Sequence, residues 1–518
     1  MSNPDKPIVI GTRGSDLALW QANHVKSRLE SLGKKVEIKI IKTSGDQIQD
    51  LSFDKMEGKG FFTKEIEAEL LSGSIDLAVH SHKDLETEQP KGLKVACVSE
   101  REDPADILVI LPQNYDPTKN LFLKEGIIVG TSSARRKAQL QAFRHDIQIN
   151  DLRGNVPTRI QKLREGKYGA IVLAAAGVKR LNIDLSEFKV HRPDPREFIA
   201  APAQGVLALQ IREKDVELDK ILQALNSPDT AKEIAVERRV LNQFEGGCQL
   251  PLGVHCIREN GIYKAWAALG NDSGMQRAYV ENADHTVLAD QILKSLSYDM
   301  PELTVFISKN ITAESLFNQR FLGGSVKIVA ESLIDVKPRN FKAIPNSDWV
   351  FFTSRNSAKF FFEQKPDIHG RKIACIGSGT AQEVAKHTQR IDYIGSNVDI
   401  KKVGEEFALV AGKQTVLFPV SNISRRTVQQ FFSADKAIDL MIYDTVARKD
   451  VALPPCDVLV FTSPSSVRAY MESFSINEKQ KVIALGPTTG KELESFGIIN
   501  YRLPKITGEL GLVDEVLN

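Results

Sequence analysis

Short apolar runs alternate with longer amphipathic stretches along most of the chain. Residues 8–10 form the first apolar run, and apolar residues then recur at helical spacing from Ala18 to Leu32, where Gly33 ends the pattern. Residues 36–41 form the next apolar run. Because strand and helix patterns alternate in this way, the sequence predicts open α/β sheets with mostly parallel strands.

Polar and basic residues collect where three predicted strands meet the helices that follow them. These turns read G-T-R-G-S (11–15), G-T-S-S-A-R-R (130–136) and D-L-R-G-N-V-P-T-R (151–159). Free N–H groups and hydroxyl caps at a helix N-terminus attract anions, and arginines add positive charge. The turns therefore predict a site for several carboxylates or phosphates, although an arginine taken alone is more often a solvated surface residue. The candidate ligands are Arg13, Ser15, Ser132, Ser133, Arg135, Arg136, Arg153 and Arg159.

A further strand-like segment, I-D-L-A-V-H-S-H-K-D (75–84), has its polar residues at its carboxyl end. Open α/β sheets bind ligands at that end, so Asp84 is the candidate catalytic residue. The alternative for Asp84 is a helix cap or a surface carboxylate. His80 and His82 form an H-x-H pair, but no other His or Cys cluster accompanies it, so no metal site is expected.

Residues 55–60 form a polar segment that suits a mobile lid over a binding site. Lys55 and Lys59 are its candidate anion contacts. A solvated loop explains both lysines equally well.

Composition and charge narrow the class of protein. The chain has 518 residues, too many for one core, with 68 Lys plus Arg against 66 Asp plus Glu. Since this balance leaves no strong basic field, no nucleic-acid partner is expected. No apolar run suits a signal core or a membrane span, so the expectation is a cytoplasmic protein without a membrane partner. The sequence leaves the oligomeric state open, with a monomer as the working expectation. The 5 cysteines include no C-x-x-C pair, which disfavours a disulfide framework and structural zinc.

The first half of the chain closely resembles the porphobilinogen deaminase (hydroxymethylbilane synthase) family, on the motifs T-S-S-A-R-R and L-R-G-N-V-P-T-R. The resemblance can be followed over about residues 7–300 and implies a carboxylate-rich pyrrole substrate, porphobilinogen. Three residues depart from the family pattern, His82 for Met, and Pro157 and Ala203 for Gly. Proline is tolerated in the first turn of a helix, so the arginines near Pro157 should keep their places.

The segment E-G-G-C-Q-L-P-L-G (245–253) resembles the cofactor loop of the same family. An unpaired cysteine is by itself more often a buried small hydrophobe. The resemblance implies instead that Cys248 carries a dipyrromethane cofactor through a thioether bond. The implied cofactor contacts are Arg13, Ser15, Ser132, Ser133, Arg135 and Arg136.

The resemblance also implies the reaction, in which a transferase joins four porphobilinogen units head to tail with release of ammonia. The product is the linear hydroxymethylbilane. Each loss of ammonia leaves a cationic azafulvene, which the carboxylate of Asp84 can stabilise, and Lys83 stands beside it in the catalytic motif. The implied substrate contacts are Lys55, Lys59, Arg153, Arg159, Gly177 and Arg180.

An internal repeat appears after Pro301. D-W-V-F-F-T-S-R-N-S begins at Asp348 and D-V-L-V-F-T-S-P-S-S begins at Asp457, 109 residues later. K-I-A-C-I-G-S-G-T begins at Lys372 and K-V-I-A-L-G-P-T-T begins at Lys481, again 109 residues later. The repeated offset predicts two related α/β units. A nucleotide-binding regulatory domain is the alternative for this half, although neither copy contains G-x-G-x-x-G or a P-loop lysine.

The second half resembles uroporphyrinogen-III synthase, on F-T-S-P-S-S-V-R-A-Y, A-L-G-P-T-T and I-Y-D-T, while its first strand, T-V-F-I-S-K-N, departs from that family. The resemblance implies a lyase that closes hydroxymethylbilane to uroporphyrinogen III with inversion of the last ring. Tyr443 is the candidate donor to the leaving hydroxyl, and its alternative is a buried tyrosine with a satisfied O–H group. Neutral hydrogen-bonding candidates near strand ends are Ser354, Thr462, Ser463 and Thr488.

These patterns together predict a multidomain α/β fold. Two-lobed, periplasmic-binding-protein-like α/β halves with a small α+β domain come first, followed by two related Rossmann-like α/β domains. The expected domains are 1–104 with 201–225, 105–200, 226–300, 301–336 with 446–518, and 337–445. A two-lobed anion-binding module shares the first architecture, and a covalent pyrrole on Cys248 would distinguish the enzyme from it.

Overall fold

The computed structural model divides into two compact units. Unit 1 contains Met1–Leu303, Ile311–Lys327 and Pro504–Asn518, and unit 2 contains Thr304–Asn310 and Ile328–Leu503. The residues that the structure describes are 6–43, 63–117, 119–244, 250–271, 274–296, 302–312, 315–321, 326–388, 390–395, 400–506 and 508–517.

The first sheet of unit 1 has the strand order β2-β1-β3-β10-β4. Its strands are β1 (Ile8–Thr12), β2 (Val36–Ile40), β3 (Leu77–Ser81), β4 (Leu93–Val98) and β10 (Leu207–Arg212). Its helices are α1 (Asp16–Ser31), α2 (Lys64–Ser72) and α6 (Val216–Leu222). Strand β1 runs parallel to β2 and β3, whereas β10 returns antiparallel between β3 and β4. Because β10 comes back from far along the chain, the chain crosses between this sheet and the next one twice.

The second sheet has the order β7-β6-β8-β5-β9. Its strands are β5 (Asp106–Ile110), β6 (Ile128–Gly130), β7 (Gln148–Asn150), β8 (Ala170–Ala174) and β9 (Lys189–His191). Its helices are α3 (Ala134–Phe143), α4 (Val156–Arg164) and α5 (Ala175–Arg180). Helix α4 is capped by Asn155, whose side chain accepts from the N–H of Thr158, and Pro157 lies in its first turn as the sequence predicts.

A three-stranded antiparallel sheet, β11 (Leu252–Glu259), β12 (Ile262–Asn271) and β13 (Gly274–Asn282), packs against α7 (Pro228–Gln243) and α8 (Leu288–Leu296). Val240, Val254, Ala267 and Ile292 are buried between the sheet and the helices. Two further helices belong to unit 1, α9 (Leu316–Phe321) and α15 (Glu509–Leu517). They lie in the part of the sequence that resembles the synthase.

Two sheets contain the strands of unit 2. One has the order β15-β14-β22-β23, with β14 (Leu303–Ile307), β15 (Val326–Ala330), β22 (Val458–Phe461) and β23 (Lys481–Ala484). The other has the order β16-β21-β20-β17-β18-β19, with β16 (Ile334–Pro338), β17 (Trp349–Phe352), β18 (Lys372–Cys375), β19 (Tyr393–Ile394), β20 (Val416–Ser421) and β21 (Ala437–Ala447). The helices are α10 (Arg355–Glu363), α11 (Ser378–Val384), α12 (Ile400–Ala411), α13 (Pro464–Ser473) and α14 (Pro487–Ser495).

The sequence repeat corresponds to a repeated strand-to-helix turn. Ser354 caps α10 in a capping box with Ser357, and Ser463 caps α13 in a capping box with Ser466. Each turn follows a buried parallel strand, β17 in one sheet and β22 in the other. The α/β fold with several sheets, expected from the sequence, is confirmed. Over the described residues, no helix is both long enough and apolar enough to span a membrane.

Candidate functional site

A cavity of about 630 Å³ lies in unit 1 and is lined by residues of both five-stranded sheets. We call it the cationic cavity. Most of its polar lining comes from turns that follow strands β1, β3, β7 and β8. Its charged and polar lining includes Arg13, Ser15, Lys83, Asp84, Arg136, Arg153, Arg159, Arg180 and Gln204, and its backbone lining includes Gly177. The structure thus brings together residues that are up to 193 positions apart in the sequence, from Arg13 to Val206.

The turn that carries the candidate catalytic carboxylate follows β3 as a short 3-10 helix, His82–Asp84. Asp84 is exposed and lines the cationic cavity. The ammonium of Lys83 donates to Oε1 of Gln204 at 3.3 Å. Burial lowers the pKa of Lys83, and the neighbouring Asp84 opposes this effect. The turn therefore presents an accessible carboxylate next to a partly desolvated cation.

Arg238, on helix α7, holds this turn through hydrogen bonds to its backbone, and we call this contact the Arg238 clamp. Its guanidinium donates to the carbonyl oxygens of His82 at 3.0 Å and Leu85 at 3.1 Å, and also to that of Glu86. Three carbonyls gathered by one planar guanidinium restrict how the turn can move. The sequence analysis missed Arg238, because its partners lie about 150 residues away and are backbone atoms that no residue pattern reveals.

Arg135 and Arg136 form a buried ion cluster with Asp106. Nη2 of Arg135 lies 2.8 Å from Oδ2 of Asp106, and Nη2 of Arg136 lies 2.7 Å from Oδ1. Burial alone would raise the pKa of Asp106, but the two guanidinium groups outweigh it and hold that pKa well below its usual range. Two cations share one carboxylate here, so the cluster keeps a surplus positive charge. Asp106 was also missed in the sequence, although an acidic residue opening an apolar strand is an available signal.

The two neighbouring arginines face different surroundings. Arg136 lines the cationic cavity, whereas Arg135 is not among the lining residues and donates to the carbonyl of Ile199 at 2.7 Å. Ser132 and Ser133 also lie outside the lining. The hydroxyl of Ser132 exchanges hydrogen bonds with the backbone of Leu152, and that of Ser133 caps α3.

The remaining arginines add to the positive charge of the cationic cavity. Burial lowers the pKa of Arg159 to about 10, helped by the charge of Arg136, so Arg159 is still protonated at neutral pH. Its Nε donates to the carbonyl of Gly154 at 2.7 Å. Arg180 donates to the carbonyl of Gly205 at 2.6 Å, and its guanidinium lies 5.8 Å from the centre of the Trp20 ring.

Ala203 occupies a position where the resembled family has glycine. Its φ is +59°, in the left-handed region that favours glycine, and the next-but-one residue, Gly205, has a φ of +91°. Gln204, between them, donates to the carbonyl of Pro104 and to Oδ1 of Asp106. This tight crossing links the His82–Asp84 turn, through Lys83, to the buried arginine cluster.

Three residues singled out in the sequence, Lys55, Lys59 and Cys248, lie outside the described residues. The other four cysteines are buried. Burial raises the pKa of Cys97 and of Cys375 to about 12, so both are protonated thiols at neutral pH. Across the described residues, no cluster of three or more His, Cys, Asp or Glu side chains could hold a metal ion.

In unit 2, two of the candidate residues, Tyr443 and Ser354, are hydrogen-bonded to each other, and a third, Thr462, is hydrogen-bonded to Ser308. The hydroxyl of Tyr443, on β21, lies 3.3 Å from that of Ser354, and the tyrosine is only 8% exposed. Thr462 follows β22, and its N–H donates to Oγ of Ser308 at 2.9 Å. Ser463 caps α13, and Thr488 is exposed in the first turn of α14. Ser308 was missed because it directly follows β14, in the segment T-V-F-I-S-K-N that departs from the family pattern.

The fold and the cationic cavity of unit 1 define an α/β protein with a cavity whose lining suits a ligand with several anionic groups. Comparison with known proteins identifies the family. Residues 8–220 match the family model described as porphobilinogen deaminase, dipyromethane cofactor binding domain. Residues 320–514 match the model described as uroporphyrinogen-III synthase HemD.

Relatives named porphobilinogen deaminase cover about half of the chain. The protein of Nitratiruptor sp. is 44% identical over 270 residues, which are 52% of this chain and 85% of the relative. That of Nitratidesulfovibrio vulgaris is 48% identical over 255 residues, 49% of this chain and 79% of the relative. The chain belongs to the porphobilinogen deaminase family, and both family resemblances expected from the sequence are confirmed. The expected cofactor is confirmed by the description of the first model.

Solved structures of two synthases also match. The uroporphyrinogen-III synthetase of Helicobacter pylori 26695 is 19% identical with a TM-score of 0.32, and the match covers 42% of this chain and 99% of the other. The uroporphyrinogen III synthase of Thermus thermophilus is 13% identical with a TM-score of 0.21, covering 41% of this chain and 96% of the other.

Proposed function

We propose that the chain is a bifunctional enzyme of tetrapyrrole biosynthesis. It joins four porphobilinogen units to hydroxymethylbilane with release of ammonia, and it then closes this product to uroporphyrinogen III with inversion of the last ring. The observation that carries the proposal is the match of the two family models to separate segments, 8–220 and 320–514, of one polypeptide. The chain is thus a transferase and a lyase.

The charge of the cationic cavity supports the first reaction. Each porphobilinogen unit brings two carboxylates, and the cavity offers the guanidinium groups of Arg13, Arg136, Arg153, Arg159 and Arg180. Arginine suits this task because its planar fork binds a carboxylate through two N–H groups. Arg153, Arg159, Arg180 and the backbone at Gly177 would hold the substrate carboxylates, with Lys55 and Lys59 adding contacts.

The same donor set fits a dipyrromethane bearing carboxylates. Arg13, Ser15 and Arg136 line the cavity and would hold the cofactor directly. Arg135 would act through the surplus charge of the Asp106 cluster, and Ser132 and Ser133 would hold the loop that presents Arg136. When bound through Cys248, the cofactor supplies the pyrrole end on which the new chain is built.

Asp84 would stabilise the positive charge that develops on the pyrrole as ammonia leaves. Its carboxylate is exposed to the cavity, and the Arg238 clamp restricts the turn that carries it. A preorganised charge of this kind commonly lowers a barrier by several kcal/mol. Lys83, through its hydrogen bond to Gln204, would keep the turn in place. It would also donate a hydrogen bond or a proton near the departing amine.

Neutral hydroxyls would carry the second reaction. The phenol of Tyr443 would donate to the hydroxyl group of hydroxymethylbilane as that group departs as water, with Ser354 orienting the phenol. Thr462, Ser463 and Thr488, which follow strands β22 and β23 of the four-stranded sheet, would hold pyrrole rings through hydrogen bonds. The hydrogen bond from Thr462 to Ser308 suits a positioning role for Ser308.

Intact-protein mass spectrometry of the full chain tests the first activity. The parent should carry a mass increment of two pyrrole units, and Cys248→Ser should have the mass of the bare polypeptide and consume no porphobilinogen. Cys456→Ser, at a buried cysteine of unit 2, should keep the increment. A Cys248→Ser protein with normal adduct and turnover would refute the assignment. Tight porphobilinogen binding without adduct or turnover in the parent would favour the anion-binding module instead.

A further inference from the structure

Helix α15 (Glu509–Leu517) lies near the end of the chain but is part of unit 1. It packs against β13, in the three-stranded sheet of the deaminase region, and against α9. Helix α9 in turn packs against α3, the helix that carries Arg135 and Arg136. Residues up to 514 match the uroporphyrinogen-III synthase model, so a segment of synthase-family sequence is built into the deaminase unit.

A buried ion pair anchors this helix. Nε of Arg277, on β13, lies 2.8 Å from Oδ1 of Asp514, and Nη2 lies 3.2 Å from Oδ2. The two side chains are only 3% and 13% exposed. The same guanidinium donates to the carbonyl oxygens of Glu197 at 2.9 Å and Arg196 at 3.0 Å. Arg277 therefore bridges the C-terminal helix and the segment that leads into the interlobe crossing.

Further contacts surround the anchor. Lys505 pairs with Glu281 at 3.1 Å and lies over the ring of Tyr279. Glu509 accepts from the hydroxyl of Ser315 and from the N–H of Leu316, both at 2.8 Å, which joins the start of α15 to the start of α9. Apolar side chains of both helices are buried, namely Phe317, Phe321, Leu512, Val513 and Val516. The interface thus combines apolar burial with a polar anchor, as stable interfaces do.

The anchored segment leads directly to the arginine cluster. Ile199 follows Glu197 by two residues, and its carbonyl accepts from Arg135 at 2.7 Å and from Gln139 at 2.8 Å. Its N–H donates to the same Gln139 side chain at 2.6 Å. A change at Arg277 therefore has a short, contiguous set of contacts through which it reaches the backbone that supports Arg135.

We propose that α15 is a docking element that makes the deaminase unit depend on the C-terminal end of the chain, with the Arg277–Asp514 pair as its polar anchor. In this chain, a segment that matches the synthase model is part of unit 1. The proposal does not depend on either catalytic assignment, because it concerns the stability of unit 1.

Asp514→Ala in the full chain tests the proposal, with Asp290→Ala as the matched control. Truncating Asp514 leaves the buried guanidinium of Arg277 without its carboxylate partner. Asp290, on α8, instead pairs with the exposed Arg239 on α7. We expect Asp514→Ala to lower the Tm of unit 1 by roughly 5 °C or more and Asp290→Ala to leave it nearly unchanged. Hydrogen exchange should quicken in β13 and in residues 196–200 for Asp514→Ala alone. Equal behaviour of the two variants would overturn the proposal.

A double substitution distinguishes the loss of this ion pair from general unfolding. The double variant Arg277→Met/Asp514→Leu lacks both charges. Its loss of stability should therefore be smaller than the sum of the losses in the single variants Arg277→Met and Asp514→Leu. If either single variant fails to fold, Asp514→Asn, which keeps the size of the side chain, replaces Asp514→Ala in the comparison with Asp290→Ala. Strictly additive losses, or an unchanged Tm in Asp514→Asn and Asp514→Ala alike, would overturn the anchor.

Discussion

At the residue scale, we expect Asp84 and the arginines of the cationic cavity to have different roles, Asp84 in the chemical step and the arginines in binding. The arginines are numerous, and several donate to backbone carbonyls, so under the proposed function each would contribute a share of ligand binding. Asp84 is the acidic group on the His82–Asp84 turn, and its carboxylate is exposed to the cavity. Substituting it should therefore affect the chemical step more than binding.

We expect Asp84→Asn to lower kcat by about a hundredfold or more with little change in KM, because the amide keeps the size but loses the charge that stabilises the developing cation. Steady-state consumption of porphobilinogen by the full chain measures this effect. Asp219→Asn, at a partly exposed carboxylate paired with Lys94, is the control and should behave like the parent. A kcat for Asp84→Asn within threefold of the parent would contradict electrostatic catalysis.

His82 is a second residue whose effect follows from its surroundings. Burial first, and then the charges of Arg238 and His80, lower its pKa to about 3, and its Nδ1 is buried without a hydrogen-bond partner. In the unfolded chain a histidine takes up its proton near pH 6.5. The stability that neutral His82 contributes is therefore complete above about pH 6.5 and is lost as the pH falls from there toward 3.

We expect His82→Met to make unit 1 less sensitive to acid, because methionine has no proton to take up and fills a similar buried volume. At pH 5 the parent should have lost about 2 kcal/mol through His82, and the variant should not. Thermal unfolding at pH 7 and pH 5 measures the difference. His145→Gln, at an exposed histidine, should leave the acid sensitivity as it is in the parent. Equal acid sensitivity in His82→Met and the parent would show that His82 is protonated in the folded state.

At the scale of elements, the sequence predicts the strands and the turns better than it predicts their partners. Alternating apolar runs and helix caps locate β1, α1 and α4, because these signals are local. The position of β10 between β3 and β4 depends on pairings more than 100 residues apart, which no local pattern contains. The same limit applies to the site. Arg135 and Arg136 look equivalent in the motif, and only the packing of Asp106 and Ile199 separates their surroundings.

The Arg238 clamp gives a prediction at this scale. Arg238→Met removes the guanidinium that holds three carbonyls of the catalytic turn, so Asp84 should lose its fixed position. We expect kcat to fall by about tenfold or more with the cofactor adduct retained, since small displacements of a catalytic group are costly. The neighbouring Arg239→Met is the matched control, because that side chain is exposed and pairs with Asp290. If both variants lower kcat equally, the clamp has no specific role.

The whole molecule is more than two enzymes joined end to end. Helices α9 and α15 come from the second half of the sequence but belong to unit 1. A chain cut near residue 300 would lose both helices, so its behaviour would mix the loss of the synthase with damage to the deaminase. The sequence resemblance places the end of the first enzyme near that residue. Only the contacts reveal that its structural unit extends further.

The two activities are therefore best separated in full-length chains. Cys248→Ser should remove the first activity while leaving α9, α15 and unit 2 in place, and supplied hydroxymethylbilane then reports the second activity alone.

Hydroxymethylbilane closes without an enzyme to the symmetric type I product, whereas inversion of the last ring requires a protein cleft. We expect the Cys248→Ser chain to yield mainly the type III product and buffer alone to yield type I, as measured by chromatography after oxidation to porphyrin. Adding Tyr443→Phe to the same chain should shift the product toward type I, because the phenylalanine cannot donate to the leaving hydroxyl. Tyr501→Phe, at a tyrosine paired with Glu494, is the control and should leave the product as type III. The same isomer ratio with the Cys248→Ser chain as in buffer would contradict the synthase activity of the second half.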